Sequence, residues 1–265
     1  MSLPTDHPPL PLFHRDLGGT GAPPVVLLHG LLGSSRNWQT VGRDLAASRR
    51  VFALDLRNHG QSPHDPDVSY PALAADVAAW LDAQGLGPAE FVGHSMGGKV
   101  AMLIACREPA RVARLVVVDI APKDYDWPAH RAEFQAMNAL DLASLASRAQ
   151  AEAQFEALVP DWAMRKFLTT NLDRAPGGGW RWVVNLATLT AGLAAIEGNA
   201  LADSDRFDGP TLFLAGGNSG YIMPADHDLI RGHFPNARIE TIAGSGHNPH
   251  IEARAAFVAA VDRRP

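Results

Sequence analysis

The run Ala89-Glu90-Phe91-Val92-Gly93-His94-Ser95-Met96-Gly97-Gly98 constrains this chain more than any other stretch of similar length. A short apolar strand enters Gly-x-Ser-x-Gly, and a helix-like run from Lys99 to Arg107 leaves it at once. The backbone has to reverse between strand and helix within a few residues, and only small residues beside Ser95 avoid a clash. Such a turn pushes the Ser95 hydroxyl out above the strand end. Gly-x-Ser-x-Gly alone is a weak pattern. Flanked by a strand and a helix it becomes specific, and it makes Ser95 a candidate nucleophile.

The rest of the chain has the rhythm such a turn needs. Near-continuous apolar runs occur at Val25–His29, Val51–Leu56, Ala89–Gly93, Leu115–Ile120, Thr211–Ala215 and Arg238–Ile242. Short runs rich in Val, Leu and Ile are how parallel strands covered on both faces read. Helical stretches at Asn37–Ala47, Tyr70–Gln84 and Lys99–Arg107 lie between them. The alternation predicts an α/β fold, a mostly parallel sheet with helices on both faces. Leu10–Leu17 reads as an antiparallel edge strand.

From Lys123 to Asp203 the rhythm breaks. No convincing strand occurs there. Amphipathic helical segments cover Pro128–Leu140, Leu142–Leu158 and Trp162–Leu172, followed by Gly177-Gly178-Gly179 and then Trp180–Leu186 and Leu189–Glu197. The expectation is a core of residues 1–122 and 204–265 with an inserted all-helical cap, residues 123–203. The cap would lie over the carboxyl edge of the sheet, where open α/β sheets bind ligands. A helical layer packed for stability alone is the competing reading. Gly177–Gly179 reads as a hinge or a plain loop.

With 265 residues the chain can bury a sizeable core in one large α/β unit. A formal charge of −5 and the lack of a basic patch argue against nucleic acid as a partner. No run of about 18 apolar residues exists, so no membrane span is expected. Met1–Arg15 is broken by Pro4, Pro8, Pro9 and Pro11 and does not resemble a secretory signal. Cys106 is the sole cysteine, which rules out an intramolecular disulfide and fits a reducing cytoplasm. Monomer and dimer both stay open.

A serine nucleophile needs a base, an acid and an oxyanion hole. Gly244-Ser245-Gly246-His247 follows the last strand, and a histidine in a small-residue loop can swing toward a neighbouring strand tip, so His247 is the candidate base. His250 competes by position but falls inside the helix opened by Asn248-Pro249. The strand after the insertion leads into Gly216-Gly217-Asn218-Ser219-Gly220, which holds no carboxylate. Asn218 can hydrogen-bond an imidazole but offers no charge to stabilise an imidazolium. One strand earlier, Asp119 stands at a carboxyl tip beside the strand carrying Ser95, and it is the candidate acid. Asp226 is the fallback, expected in the helix after Pro224. The oxyanion donors are assigned to the backbone N–H groups of Met96, directly after Ser95, and of Leu31 in His29-Gly30-Leu31-Leu32-Gly33. His29 orders that loop rather than transferring protons. Asp55 and Arg57 pin the segment Asp55–Ser62 by hydrogen bonds, while Asn58 and His59 are candidates for the pocket rim.

These residues resemble the α/β-hydrolase superfamily over almost the whole chain. The matches are His29-Gly30, Asp55-Leu56-Arg57-Asn58-His59-Gly60-Gln61-Ser62, the Ser95 turn and Gly246-His247. Asn58-His59-Gly60, Val118-Asp119-Ile120-Ala121-Pro122 and the acid-free Gly216-Gly217-Asn218-Ser219 are most similar to the small acyl esterases of the YbfF type. The resemblance implies a serine esterase or thioesterase acting on short- to medium-chain acyl groups, with its acid on the earlier strand. The partner is then a small acyl ester or thioester. No metal-ligand spacing and no Gly-rich phosphate loop stands out, so no metal and no nucleotide cofactor is implied. The same triad serves carbon–carbon hydrolases, perhydrolases and haloperoxidases, and the fold also serves small-molecule receptors. Trp127, Phe134, Met137, Phe155, Phe167, Trp180 and Trp182 are candidates for an apolar acyl tunnel, with two or three expected to reach it.

Overall fold

The computed structural model describes residues 8–263. The first seven residues of the proline-broken start, and the extreme ends of the expected core, lie outside the described residues. The strands are β1 (His14–Gly18), β2 (Val25–Leu28), β3 (Val51–Leu54), β4 (Ala89–His94), β5 (Val112–Val118), β8 (Thr211–Gly216) and β9 (Ala237–Ile242). They form one sheet in the order β1-β3-β2-β4-β5-β8-β9. Only β1 is antiparallel, pairing with β3 at the edge. β2, β4, β5 and β8 are buried along nearly their whole length. That burial on both faces is why their sequences read as continuous apolar runs rather than as alternation.

Helices cover the two faces. α2 (Tyr70–Ala83) starts where the Ser69 hydroxyl accepts from the Ala72 N–H and Pro71 occupies the first turn. α3 (Met96–Arg107) begins one residue after Ser95. α1 (Gln39–Leu45), α9 (His227–His233), α10 (Pro249–Glu252) and α11 (Arg254–Asp262) are further pieces. On one face Phe91, Leu115 and Val117 join Val100, Met102 and Ile104 in the larger core. On the other, Val92, Val116 and Leu214 pack with Trp38 and Phe257.

The segment between β5 and β8 holds α4 (Pro128–Ala139), α5 (Arg148–Phe155), α6 (Trp162–Thr169), α7 (Leu186–Ala191) and α8 (Leu193–Glu197). It is not all helical. β6 (Leu172–Arg174) and β7 (Trp180–Trp182) pair antiparallel, with Leu172 opposite Trp182 and Arg174 opposite Trp180. Gly177, Gly178 and Gly179 all take positive φ, at 90°, 103° and 77°, and make the reversal between the two strands. Trp180 and Trp182, read as helical from their apolar spacing, instead favour the pleated ribbon. The expected helix over Leu142–Leu158 is shorter, because the Ser147 hydroxyl accepts from the Gln150 N–H and starts α5 there.

Asp55–Ser62 is a buried knot behind the sheet edge. Arg57 makes a two-pronged contact with Asp76 of α2, Nε to Oδ2 at 2.7 Å and Nη2 to Oδ1 at 2.8 Å. Asp55 accepts the Ser35 N–H at 2.6 Å and the Gln61 N–H at 2.8 Å. Both Arg57 and Asp76 are buried. Without Asp76 the buried Arg57 keeps only its looser contacts to Asp65 at 3.4 Å and to the Asp67 carbonyl at 3.1 Å, so Asp76→Ala should destabilise the fold by about 3 kcal/mol, read by urea denaturation. A loss under about 1 kcal/mol would mean that Asp65 and Asp67 take over the Arg57 charge.

Candidate active site

Ser95 sits between β4 and α3 with φ 51° and ψ −119°, a strained conformation for a residue with a Cβ. Its surroundings explain the glycines. A Cβ on Gly93 would lie 2.3 Å from the Gly97 carbonyl oxygen, and one on Gly97 would lie 2.5 Å from that of Leu28. The turn therefore closes only where those side chains are missing. The Ser95 N–H donates to the Val118 carbonyl at 3.0 Å, which fixes the serine beside the tip of β5. Asp119 follows that tip, buried, with φ 50°.

His247 comes from the loop after β9. Its Nδ1 donates to Asp119 Oδ2 at 2.8 Å. Asp119 Oδ1 accepts the Gly216 N–H at 2.9 Å, and Oδ2 also accepts the Ser219 hydroxyl. The carboxylate is thus held by three donors. Because Nδ1 carries the proton, Nε2 of His247 is left as the acceptor, which is the form a general base needs. The His247 carbonyl accepts from His94 Nε2 at 2.8 Å, which ties His247 to the residue preceding Ser95. The Ser95 hydroxyl makes no hydrogen bond among the described residues. Nucleophile and base commonly stand apart until substrate arrives.

The two fallback candidates are occupied elsewhere. Asp226, in a short 3₁₀ turn at Pro224–Asp226, holds Lys123 Nζ at 2.7 and 2.8 Å. His250 lies in α10, buried and stacked on Trp38 at 4.4 Å between ring centres. Burial takes its pKa down to about 3. Asn218 bonds through its backbone to the Ser245 carbonyl at 2.8 Å.

The loop after β2 approaches closely. A Cβ on Gly30 would lie 3.2 Å from Ser95 Cβ and 2.8 Å from His94 Nδ1. Leu31 lines the same cavity as Ser95 and Met96. His29 Nε2 accepts the Leu56 N–H at 2.9 Å, so Nδ1 is the protonated nitrogen and donates to the Gly30 carbonyl. His59 does the same one layer further out, accepting the Leu32 N–H at 3.2 Å and donating to the Arg57 carbonyl. Burial lowers the pKa of both rings, His59 to about 3. They are neutral fasteners of the Leu31 loop. Neither Asn58 nor His59 lines the cavity with Ser95. Asn58 instead accepts from Asn185 Nδ2 at 3.0 Å and so fastens the insertion.

The cavity at Ser95 is narrow, about 20 Å³, and open to solvent on one side. All three tyrosines of the chain, Tyr70, Tyr125 and Tyr221, line it. Tyr221 stacks on the His247 ring at 3.7 Å between centres and 15° between planes. Of the seven apolar cap residues expected to form a tunnel, only Trp127 is in this lining. Phe134, Met137 and Phe155 are core residues of the insertion. The tyrosines were missed because each is isolated in sequence, at a helix start or in a loop, with no periodic pattern around it. Lys99, one helical turn after Ser95, is buried in the cavity wall and donates to the Glu197 and Gly198 carbonyls at 2.9 and 2.5 Å. Burial brings its pKa down to about 8. It fastens the end of α8 to α3.

A family profile described as alpha/beta hydrolase fold matches residues 23–254. The chain belongs to that family. Among alpha/beta hydrolases it is 41% identical to the mouse sn-1-specific diacylglycerol lipase ABHD11, over 96% of this chain and 84% of that protein. It is 38% identical to Esterase YbfF of Escherichia coli K12, over 91% of this chain and 92% of that protein. A solved structure titled Marine microorganism esterase superposes with a TM-score of 0.92 at 35% identity, covering 95% of this chain and 98% of that one. This alpha/beta hydrolase is accordingly a hydrolase of the esterase and lipase kind, resembling the YbfF-type esterases. Among the described residues no helix is long and apolar enough to cross a membrane.

Proposed function

We propose that the protein cleaves carboxylic ester or thioester bonds of short- to medium-chain acyl substrates through an acyl-enzyme on Ser95. The observation that carries this reading is the Asp119–His247 hydrogen bond at 2.8 Å, made beside a serine held at φ 51°. His247 Nε2 takes the Ser95 proton as the hydroxyl oxygen attacks the acyl carbon. Asp119 keeps the ring in the right tautomer and stabilises its charged form. The N–H groups of Met96 and Leu31 hold the oxyanion, each donor being worth about 2.7–4 kcal/mol at the transition state. His247 returns the proton to the leaving alcohol or thiol, and water repeats the attack on the acyl-enzyme.

In this reading residues 123–203 act as a cap over a core of residues 1–122 and 204–265. Lys99 and Asn58 hold that cap down, and its α4 and α8 form one wall of the reaction cavity. The narrowness of the cavity at Ser95, about 20 Å³, supports modest acyl chains.

The test is hydrolysis of p-nitrophenyl esters from acetate to palmitate, with acyl-coenzyme A thioesters beside them. Turnover should peak at short to medium chains and fall toward palmitate. A profile flat from two to sixteen carbons would argue against a shaped acyl site. No turnover of any ester would favour a carbon–carbon hydrolase or a receptor. Ser219→Ala should lower kcat about tenfold, since it removes one hydrogen bond to the Asp119 carboxylate. A loss in KM alone would mean that Ser219 acts on substrate rather than through Asp119.

A further inference from the structure

The cavity wall opposite the Ser95 loop carries a histidine that the acyl-transfer mechanism does not use. His130 lies in the first turn of α4 and lines the cavity together with Ser95 and Tyr221. Its Nδ1 faces Glu197 Oε1 at 2.9 Å. Glu197 is buried at the end of α8, and its other oxygen faces Arg131 at 3.5 Å. A carboxylate has no proton to give, so Nδ1–H donates and Nε2 of the neutral ring is an acceptor. Burial, ahead of the opposing pull of Glu197, keeps the ring below the ordinary imidazole value of 6.5, so it is neutral at neutral pH. Nearby His247 adds to that shift, as two imidazoles sharing one cavity should.

Among the described residues His130 is hydrogen-bonded through Nδ1 and not through Nε2, and 21% of the side chain stays open. Of its polar neighbours, Trp127 Nε1 is also buried without a partner among the described residues, a second group that could meet a substrate, while the others are committed. The Tyr70 hydroxyl donates to the Ile196 carbonyl at 2.6 Å. The Tyr125 hydroxyl donates to the Tyr221 carbonyl and accepts the Ala121 N–H. Lys99 holds two carbonyls of the insertion. An oriented acceptor thus stands on a ring that lines the same cavity as Ser95, beside three tyrosines and Trp127. An acceptor left bare when substrate excludes water is costly, whereas a hydroxyl placed there satisfies it.

We propose that His130 binds a hydroxyl group carried by the ester substrate, accepting its hydrogen bond at Nε2, with Glu197 as the positioning residue. The inference rests on the ester-hydrolase reading and narrows its substrate to hydroxy esters. Specificity of this kind is strong because the analogue lacking the hydroxyl leaves a buried polar group unpaired.

The experiment compares matched esters with and without the hydroxyl. On the alcohol side the pair is 2-hydroxyethyl butyrate and propyl butyrate. On the acyl side it is methyl 3-hydroxybutyrate and methyl butyrate. The readout is the ratio of kcat/KM for the hydroxy ester to that for its plain partner. Wild type should show a ratio of about ten or more in one pair, and that pair tells which side of the ester carries the hydroxyl. The ratio should collapse toward one in His130→Leu and recover in part in His130→Gln, whose amide oxygen reaches the Nε2 position. Glu197→Gln is the second variant, useful where His130→Leu folds poorly. Its amide donates to Nδ1 and shifts the proton to Nε2, so the acceptor disappears and the ratio should fall there too. Wild-type ratios near one in both pairs, or a ratio that survives both His130→Leu and Glu197→Gln, would overturn the proposal. The two levels separate cleanly: wild type inert on p-nitrophenyl butyrate and on all four test esters loses the ester reading itself, whereas wild type active on esters with flat ratios loses only the role of His130.

Discussion

Ser95→Ala is expected to lower kcat on p-nitrophenyl butyrate by about a million-fold, the loss typical when a serine nucleophile is removed from a working triad. What remains should be the weak catalysis of the oxyanion donors and of binding, on the order of 10³–10⁴ over water. KM should change little, because the Ser95 hydroxyl makes no contact that holds the ground state. The same change should leave the fold as stable as before, or more so. Ser95 holds φ 51° and ψ −119° between β4 and α3, and its hydroxyl bonds to nothing among the described residues, so alanine loses no hydrogen bond there. Catalytic residues commonly sit at such a cost to stability. The check is a pair of measurements on one preparation, single-turnover kinetics and a thermal melt. A variant keeping more than about a hundredth of wild-type kcat would remove Ser95 from the nucleophile's place, since a positioning serine costs no more than that.

The parts of this molecule that could be read in its sequence are those fixed by local rules. β2, β4, β5 and β8 are buried on both faces, so their residues have no freedom to be polar, and the runs announce themselves. The Ser95 turn is equally local: Gly93, Gly97 and Gly98 are required by contacts under 3 Å with backbone and Ile120. The position of Asp119 follows from register, because β4 pairs with β5 and His94 stands opposite Val118. An aspartate one residue past Val118 is therefore beside Ser95 whatever the loops do.

What escaped the sequence depends on contacts between distant segments. His130 and Glu197 are 67 residues apart and meet only because α4 and α8 pack at one wall. Tyr221 reaches the His247 ring from a loop that has no periodic signal. The hairpin of β6 and β7 is three residues per strand, too short for alternation to show, and its tryptophans look equally at home in a helix. Ser219 was visible only as part of a loop lacking an acid. In the fold it donates to Asp119, so the Gly216–Gly220 loop supports a carboxylate it does not supply.

The acid is where the second large effect is expected. Asp119→Asn should lower kcat by about 10⁴-fold, the scale of a triad whose histidine is held in the wrong tautomer. Asparagine tolerates the positive φ of 50° at this position, so the backbone should stay as it is. Its amide oxygen can still accept the Gly216 N–H. Its NH₂ must then face both His247 Nδ1 and the Ser219 hydroxyl, where the carboxylate accepted from each. Nδ1 becomes an acceptor, the imidazole proton moves to Nε2, and the base presents a proton to Ser95 instead of a lone pair. Raising the pH cannot repair this, because no titratable group replaces the lost charge. Asp226→Asn is the matched control. That carboxylate pairs with Lys123 at the partly exposed edge of the insertion, and such a pair is worth about 1 kcal/mol or less. Turnover within about threefold of wild type is expected from it. Loss in Asp226→Asn with retention in Asp119→Asn would transfer the acid's role to the later strand and require His247 to swing away from the partner it has here.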